Sequence, residues 1–146
     1  DVNAAIGLAQ IRQYGVLMNK RKEVFNRYNK AFGSFDWAVL PPGKLNGKES
    51  SYHLYALRIS GINEEERNQI IQEIASKDVS VNVHFIPLPM LTFFKDMGFD
   101  IKNYPVSYRN YACEISLPIY PQLTDEEVDC VIAAVVEAYE KIKIRT

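Results

Sequence analysis

Apolar residues recur at steps of three and four along the first part of the chain, with basic residues between them. This spacing predicts one long amphipathic helix over residues 3–32. Its repeating apolar residues are Ala4, Leu8, Ile11, Met18, Phe25, Tyr28 and Phe32. Because the helix is longer than the ~11 to 12 residues of an average helix, we expect it to cover more than one surface.

Four shorter segments carry strand signals. Residues 35–40 precede a loop rich in proline and glycine, and residues 51–60 alternate in polarity, which would put His53 and Tyr55 on one face. Residues 79–83 are rich in valine and must leave the sheet before Pro87, since proline cannot donate to a ladder. A short strand at residues 115–117 completes the set.

Helix-start signals separate these strands. Asn63 precedes three glutamates, and Thr124 with Glu127 forms a capping box. Short helices are also expected at residues 90–97 and 105–113. The order of elements predicts a single α+β domain, a small and mostly antiparallel sheet packed by helices.

Composition excludes several partners. The net charge is -1 and the hydrophobic share is 47%, so no nucleic acid or anionic membrane is expected as a partner. No apolar run approaches the ~20 residues of a membrane span, which favours a soluble, cytoplasmic protein. Cys113 and Cys130 lack metal-ligand spacing and are expected to be free and buried. The start at Asp1 without methionine suggests a cut end.

The chain contains no complete motif of a self-sufficient active site, and a metal site built on its two histidines has no local spacing to support it. The best candidate is the segment 83–89, where a strand ends in a proline-stiffened loop. There His84 and Phe85 could stack on a base or sugar and hydrogen-bond a phosphate or hydroxyl. The alternative is that both side chains simply pack at the sheet edge.

The segment 52–55 is a second candidate, with the same two alternatives. His53 and Tyr55 would contact a ligand or fill a semi-polar core. Arg58 could clamp a carboxylate with its planar guanidinium or remain solvated.

Four stretches together resemble segments of one family, in order and in separation. They are residues 1–10 (DVNAAIGLAQ), 51–55 (SYHLY), 83–88 (VHFIPL) and 115–124 (ISLPIYPQLT). All four resemble the DegT/DnrJ/EryC1/StrS family of sugar aminotransferases, which depend on pyridoxal phosphate (PLP).

The resemblance implies a fold-type-I aminotransferase, in which a large domain holds PLP on a lysine and a small C-terminal domain closes the site. Residues 1–146 resemble that small domain together with the connecting helix, residues 3–32, so the large domain is absent. Family members transfer an amino group, usually from glutamate, to a nucleotide-linked keto-deoxysugar. They serve lipopolysaccharide, capsule, glycan or antibiotic pathways, as homodimers with active sites near the interface.

The resemblance also implies which residues meet the substrate. The family lysine would lie upstream of Asp1, so we assign no catalytic, cofactor-binding or metal-binding residue and expect the fragment alone to be inactive, without tight PLP binding. His84 and Phe85 match a histidine-aromatic pair beside the sugar nucleotide, and a second family histidine is replaced by Pro89. The substrate-binding candidates are His84, Phe85, Ile86, Pro87, Tyr52 and His53.

Two other functions remain open at this stage. Related family members replace the lysine with histidine and act as PLP-dependent sugar-nucleotide dehydratases. A non-catalytic binding or assembly module could also use the same small-domain fold.

Overall fold

The computed structural model describes residues 1–143 and begins with one long helix, α1 (Val2–Phe32). The predicted helix is therefore confirmed. Only its second half is buried, through Val24, Phe25, Tyr28 and Phe32. Its first half exposes large apolar side chains, namely Val2, Ile6, Leu8, Ile11, Tyr14 and Val16.

Three antiparallel strands form the main sheet, in the order β1, β4, β5. The strands are β1 (Ala38–Val39), β4 (Tyr55–Ile59) and β5 (Glu114–Leu117), and β2 (Lys44–Leu45) pairs with β3 (Lys48–Glu49) in a separate hairpin. In β4, Tyr55, Leu57 and Ile59 are buried, as alternation requires. The α+β prediction is confirmed.

Five helices surround this sheet within the described residues. After α1 they are α2 (Glu64–Ala75), α3 (Thr92–Asp96), α4 (Pro105–Cys113) and α5 (Asp125–Lys143), with 3-10 turns at Leu88–Met90 and Ile101–Asn103. Both predicted caps are present: Asn63 Oδ1 accepts the Glu66 amide at 3.0 Å, and Thr124 Oγ1 accepts the Glu127 amide at 3.2 Å. None of the described helices is long and apolar enough to cross a membrane.

The strand predicted at residues 51–60 begins late. Tyr52 has a φ of 52°, which is outside the extended region, so regular pairing starts only at Tyr55. Consequently His53 is exposed while Tyr55 is fully buried, and the prediction that they share a strand face is wrong.

The strand predicted at residues 79–83 is reduced to one bridge. Asn82 and Ser116 exchange two backbone hydrogen bonds, of 3.2 and 2.7 Å. Pairing stops there because the next amides take side-chain acceptors: Val83 N–H donates to Asn82 Oδ1 and His84 N–H donates to a carboxylate oxygen of Glu114.

Both cysteines are free, and Cys113 is half-buried whereas Cys130 is exposed. Cys130 is exposed because it lies on the outward face of α5, while Val128 and Val131 face the core. The prediction that both thiols are buried is therefore wrong for Cys130. Burial raises the pKa of the Cys113 thiol.

Candidate functional site

A cleft of 420 Å³ lies where the loop after Asn82 meets β4 and α4. Strand β4 forms its floor, α4 one wall, and the predicted histidine-aromatic pair the other. Its lining residues are Ala56, Arg58, His84, Phe85, Pro87, Ser107, Asn110, Tyr111 and Glu114. The structure therefore brings together His84, Phe85 and Pro87 from the sequence candidates.

His84 and Phe85 present two rings at the mouth of this cleft. The ring centroids lie 4.6 Å apart in an edge-to-face arrangement, and the peptide bond between the residues is cis. Phe85 is 74% exposed, so its ring is available for stacking. Nδ1 of His84 is buried and has no hydrogen-bond partner among the described residues, which marks it as a group suited to a ligand.

Glu114 lies beneath the pair, and the sequence analysis did not assign it. Its side chain is 6% exposed and accepts a hydrogen bond from His84 N–H at 3.0 Å. The other carboxylate oxygen accepts from the Ser116 hydroxyl. The available signal was a charged residue directly before the apolar strand at residues 115–117, a position where a carboxylate must find partners.

Arg67 fastens the α4 wall to α2. Its side chain is 1% exposed, and Nη1 donates to the backbone carbonyls of Tyr111 at 3.0 Å and Glu114 at 3.3 Å. The guanidinium also stacks on the Tyr111 ring, 4.8 Å from the centroid. Glu64 accepts the hydroxyls of Tyr108 and Tyr111, each at 3.0 Å, and the first of these bonds raises the pKa of Tyr108. One wall of the cleft is thus rigidly attached to the core.

Arg58 supplies positive charge to the cleft. Its Nη1 donates to Asn110 Oδ1, which orients the guanidinium across the gap between β4 and α4. Arg58 also lines an adjoining cavity of 430 Å³ that reaches Asn63 and Tyr108. A planar cation in this position suits a phosphate or carboxylate.

The remaining sequence candidates lie outside the cleft. Tyr52 is buried in the core, where its hydroxyl donates to Glu49 at 2.8 Å and its ring meets Phe25 edge-on at 5.0 Å. Ile86 is 48% exposed, and His53 lines a separate groove of 200 Å³ that reaches the other side of His84. We therefore leave Tyr52 out of the site.

The cleft offers no covalent position for an aldehyde cofactor. In the part of the chain that the structure describes, none of the residues lining it is a lysine. Nor do residues 1–143 contain a group of three His, Cys, Asp or Glu side chains placed to hold a metal ion. The side chains that line the cleft can hydrogen-bond, stack and pair with charge.

An α+β domain that carries a half-buried histidine, an exposed aromatic ring and an arginine around one cleft presents a candidate binding surface. Comparison with known proteins identifies the family: residues 1–136 match the DegT/DnrJ/EryC1/StrS aminotransferase family, and the chain belongs to it. The resemblance noted from the four motifs is thereby confirmed.

Individual relatives match nearly the whole of the chain. The uncharacterized protein MJ1066 of Methanocaldococcus jannaschii is 34% identical over 92% of this chain, and the spore coat polysaccharide biosynthesis protein SpsC of Bacillus subtilis is 29% identical over the same share. Spr1654 of Streptococcus pneumoniae, assigned as a sugar aminotransferase, superposes on 97% of the chain with a TM-score of 0.92 and 41% identity.

The match covers only part of these proteins. The chain spans 35% of the length of MJ1066, of SpsC and of Spr1654. Spr1654 has been solved in PLP and PMP (pyridoxamine phosphate) forms, so its complete chain binds the cofactor.

Proposed function

We propose that this chain is the small C-terminal domain of a PLP-dependent aminotransferase that acts on a nucleotide-linked keto-deoxysugar, with the His84 cleft as one wall of the sugar-nucleotide site. The observation that carries this proposal is the unpartnered, buried Nδ1 of His84 beside the exposed ring of Phe85. Family membership supplies the reaction class, since relatives include a UDP-aminosugar transaminase of Helicobacter pylori at 25% identity.

Each cleft residue has a separate task in this proposal. His84 hydrogen-bonds a sugar hydroxyl or phosphate oxygen, because a buried imidazole nitrogen without a partner gains most from a polar ligand. Phe85 stacks on the sugar or base. Arg58 lies across the cleft, where its charge favours the diphosphate.

PLP supplies the electron sink for amino transfer when it is bound to the complete enzyme. The residues present here do not fit its covalent attachment, since no lysine lines the described cleft. In this proposal the chain binds and orients the substrate.

The partners of the complete protein follow from the same proposal. They are a large cofactor domain, a second copy in a homodimer, the sugar nucleotide, and glutamate as amino donor, in the cytoplasm and in a polysaccharide or related glycan pathway. The apolar first half of α1 supports a covering domain, since Ile6 is 57% and Ile11 73% exposed.

The test uses the full-length protein that contains this chain, supplied with a nucleotide-linked 4-keto-6-deoxysugar and glutamate. Formation of 2-oxoglutarate is the readout. We expect His84→Ala to raise the KM for the sugar nucleotide about tenfold or more, from the loss of one hydrogen bond to a charged or polar substrate. Elimination of water without amino transfer would show a dehydratase, and binding without turnover would show an assembly module; either contradicts the proposal.

A matched pair of phenylalanines separates stacking from a general loss of apolar surface. Phe85→Ala should raise the KM about tenfold, the scale of one base or sugar stacked on an aromatic ring. Phe93, on α3 and 69% exposed, does not line the cleft. Phe93→Ala should leave the KM unchanged, and equal effects of the two substitutions would remove Phe85 from the site.

A further inference from the structure

We infer that Glu114 is a positioning residue that holds His84 and Phe85 at the mouth of the cleft. This inference rests on the proposed function, because it assigns to Glu114 the placement of the residues that meet the sugar nucleotide. Glu114 itself lies beneath the loop and acts through His84.

The backbone register shows what the carboxylate replaces. Asn82 and Ser116 form a hydrogen-bonded pair in an antiparallel bridge, so the next hydrogen-bonded pair in the same register, two residues on, is His84 opposite Glu114. That backbone pair does not form. Instead, the side chain of Glu114 accepts the His84 N–H at 3.0 Å. The carboxylate thus holds the loop farther from β5 than a backbone carbonyl would, and this spacing lets His84 and Phe85 overhang the cleft.

Burial argues that the carboxylate has a positional role. Glu114 is 6% exposed, and its two oxygens are taken by the His84 amide and by the hydroxyl of Ser116, which is 4% exposed. The hydrogen bonds from the His84 amide and the Ser116 hydroxyl offset the cost of burying this carboxylate. An apolar side chain would fill a strand position at lower cost, but it could not hold the His84 amide.

The main chain of Glu114 links this loop to the opposite wall. Its N–H donates to the Tyr111 carbonyl at the end of α4, and its own carbonyl accepts from Arg67 at 3.3 Å. One residue therefore connects α4, which forms one wall, with the His84 loop, which forms the other. Displacing it would change the width of the cleft.

The first test observes His84 directly. Imidazole labelling of the full-length protein gives one set of NMR signals for each histidine, and the signals of His84 and His53 are assigned by their loss in His84→Ala and His53→Ala. In Glu114→Ala we expect the His84 signals to move by several line widths or to broaden, while those of exposed His53 stay in place. Glu114→Gln should restore the His84 signals, because an amide oxygen accepts the His84 N–H and the amide nitrogen donates to the Ser116 hydroxyl.

The second test measures kinetics in the full-length protein. Glu114→Ala should raise the KM for the sugar nucleotide about tenfold with a much smaller change in kcat, and Glu114→Gln should recover most of this loss. Tyr55→Phe is the matched control, since it removes another buried hydrogen bond, 2.9 Å to Asn29, away from the cleft. It should lower stability without changing the KM.

The outcomes separate the inference from the proposal on which it rests. If Glu114→Ala moves the His84 signals but His84→Ala leaves the KM unchanged, the proposed function fails, and with it the role of Glu114 in substrate binding. If His84→Ala raises the KM but Glu114→Ala alters neither the KM nor the His84 signals, the positioning role is overturned. Equal disturbance of His53 and His84 in Glu114→Ala, without rescue by Glu114→Gln, would show a general folding defect and also overturn it.

Discussion

Replacing Arg67 with methionine tests whether one buried guanidinium stabilises the α4 wall. Methionine keeps much of the apolar stem and removes the donors. The backbone carbonyls of Tyr111 and Glu114 then lose partners that lie at 3.0 and 3.3 Å, and the cation leaves the face of the Tyr111 ring. The Glu64 carboxylate loses its ion pair with Arg67 Nη2, at 3.8 Å, but keeps both tyrosine hydroxyls. Asn68 Oδ1 loses the Arg67 Nε–H donor at 2.9 Å, but Asn68 is exposed and can bind water instead.

The magnitude follows from these contacts. A hydrogen bond from a charged donor contributes about 1.5 kcal/mol at the low end of its range, so two of them give about 3 kcal/mol. We take the low end because methionine regains apolar contact, and a hydrophobic replacement of a buried ion often offsets part of the loss. For a domain of this size, that loss in the free energy of unfolding lowers the Tm by about 10 °C.

Urea denaturation, followed by the fluorescence of Trp37, measures the effect. Arg109→Met is the control, because Arg109 is an exposed arginine on α4, the helix that Arg67 attaches to α2. We expect its free energy of unfolding to stay within about 0.5 kcal/mol of the unmodified protein. A loss in the free energy of unfolding below about 1 kcal/mol for Arg67→Met, or an equal loss for Arg109→Met, would refute the reasoning. The buried hydrogen bonds of Arg67 would then make no measurable contribution to stability.

Three further measurements test other parts of the molecule. Hydrogen bonds, of which the one from Lys22 has the largest effect, lower the pKa of Glu49 to about 2. The stabilisation from this pairing is therefore fully present above the ordinary value of 4.5 and lost as the pH falls towards about 2. A carboxyl NMR titration should show this low midpoint, and Lys22→Ala should raise it; an ordinary midpoint in the unmodified protein would contradict the pairing. A thiol-reagent assay should find Cys130 fast and Cys113 slow, since burial raises the pKa of Cys113, and Cys130→Ser should remove only the fast phase. Leu57→Ala should lower the free energy of unfolding by about 3 kcal/mol in denaturation, because Leu57 is fully buried; a loss under about 1 kcal/mol would argue against that packing.

Local signals in the sequence were sufficient for the helices. The caps at Asn63 and Thr124 act within three residues, so the sequence contains both partners of each bond. The burial of α1 was less predictable. Its apolar spacing runs through the whole helix, yet burial begins only at Val24, because the packing partners are supplied by the tertiary structure.

The strands and the site depended on long-range contacts. The valine pattern at residues 79–83 indicates a strand, but a side chain thirty residues away takes the His84 amide and ends the pairing. For the same reason, the charge of Glu114 before the strand at residues 115–117 indicated that the carboxylate needs partners, but not that the His84 amide is one of them. His84 and Phe85 could be predicted as candidates because proline and histidine in one loop are visible locally, whereas Arg67 acts through carbonyls forty-four or more residues away.

The single bridge between Asn82 and Ser116 has a practical consequence for protein engineering. Downstream of it, the loop meets the sheet through one amide and a carboxylate rather than through a continuous ladder. Residues such as Phe85 and Ile86, which are exposed, can then be exchanged without altering strand register or core packing. The loop is therefore a natural place for a library of substitutions that seeks a changed ligand preference at constant stability.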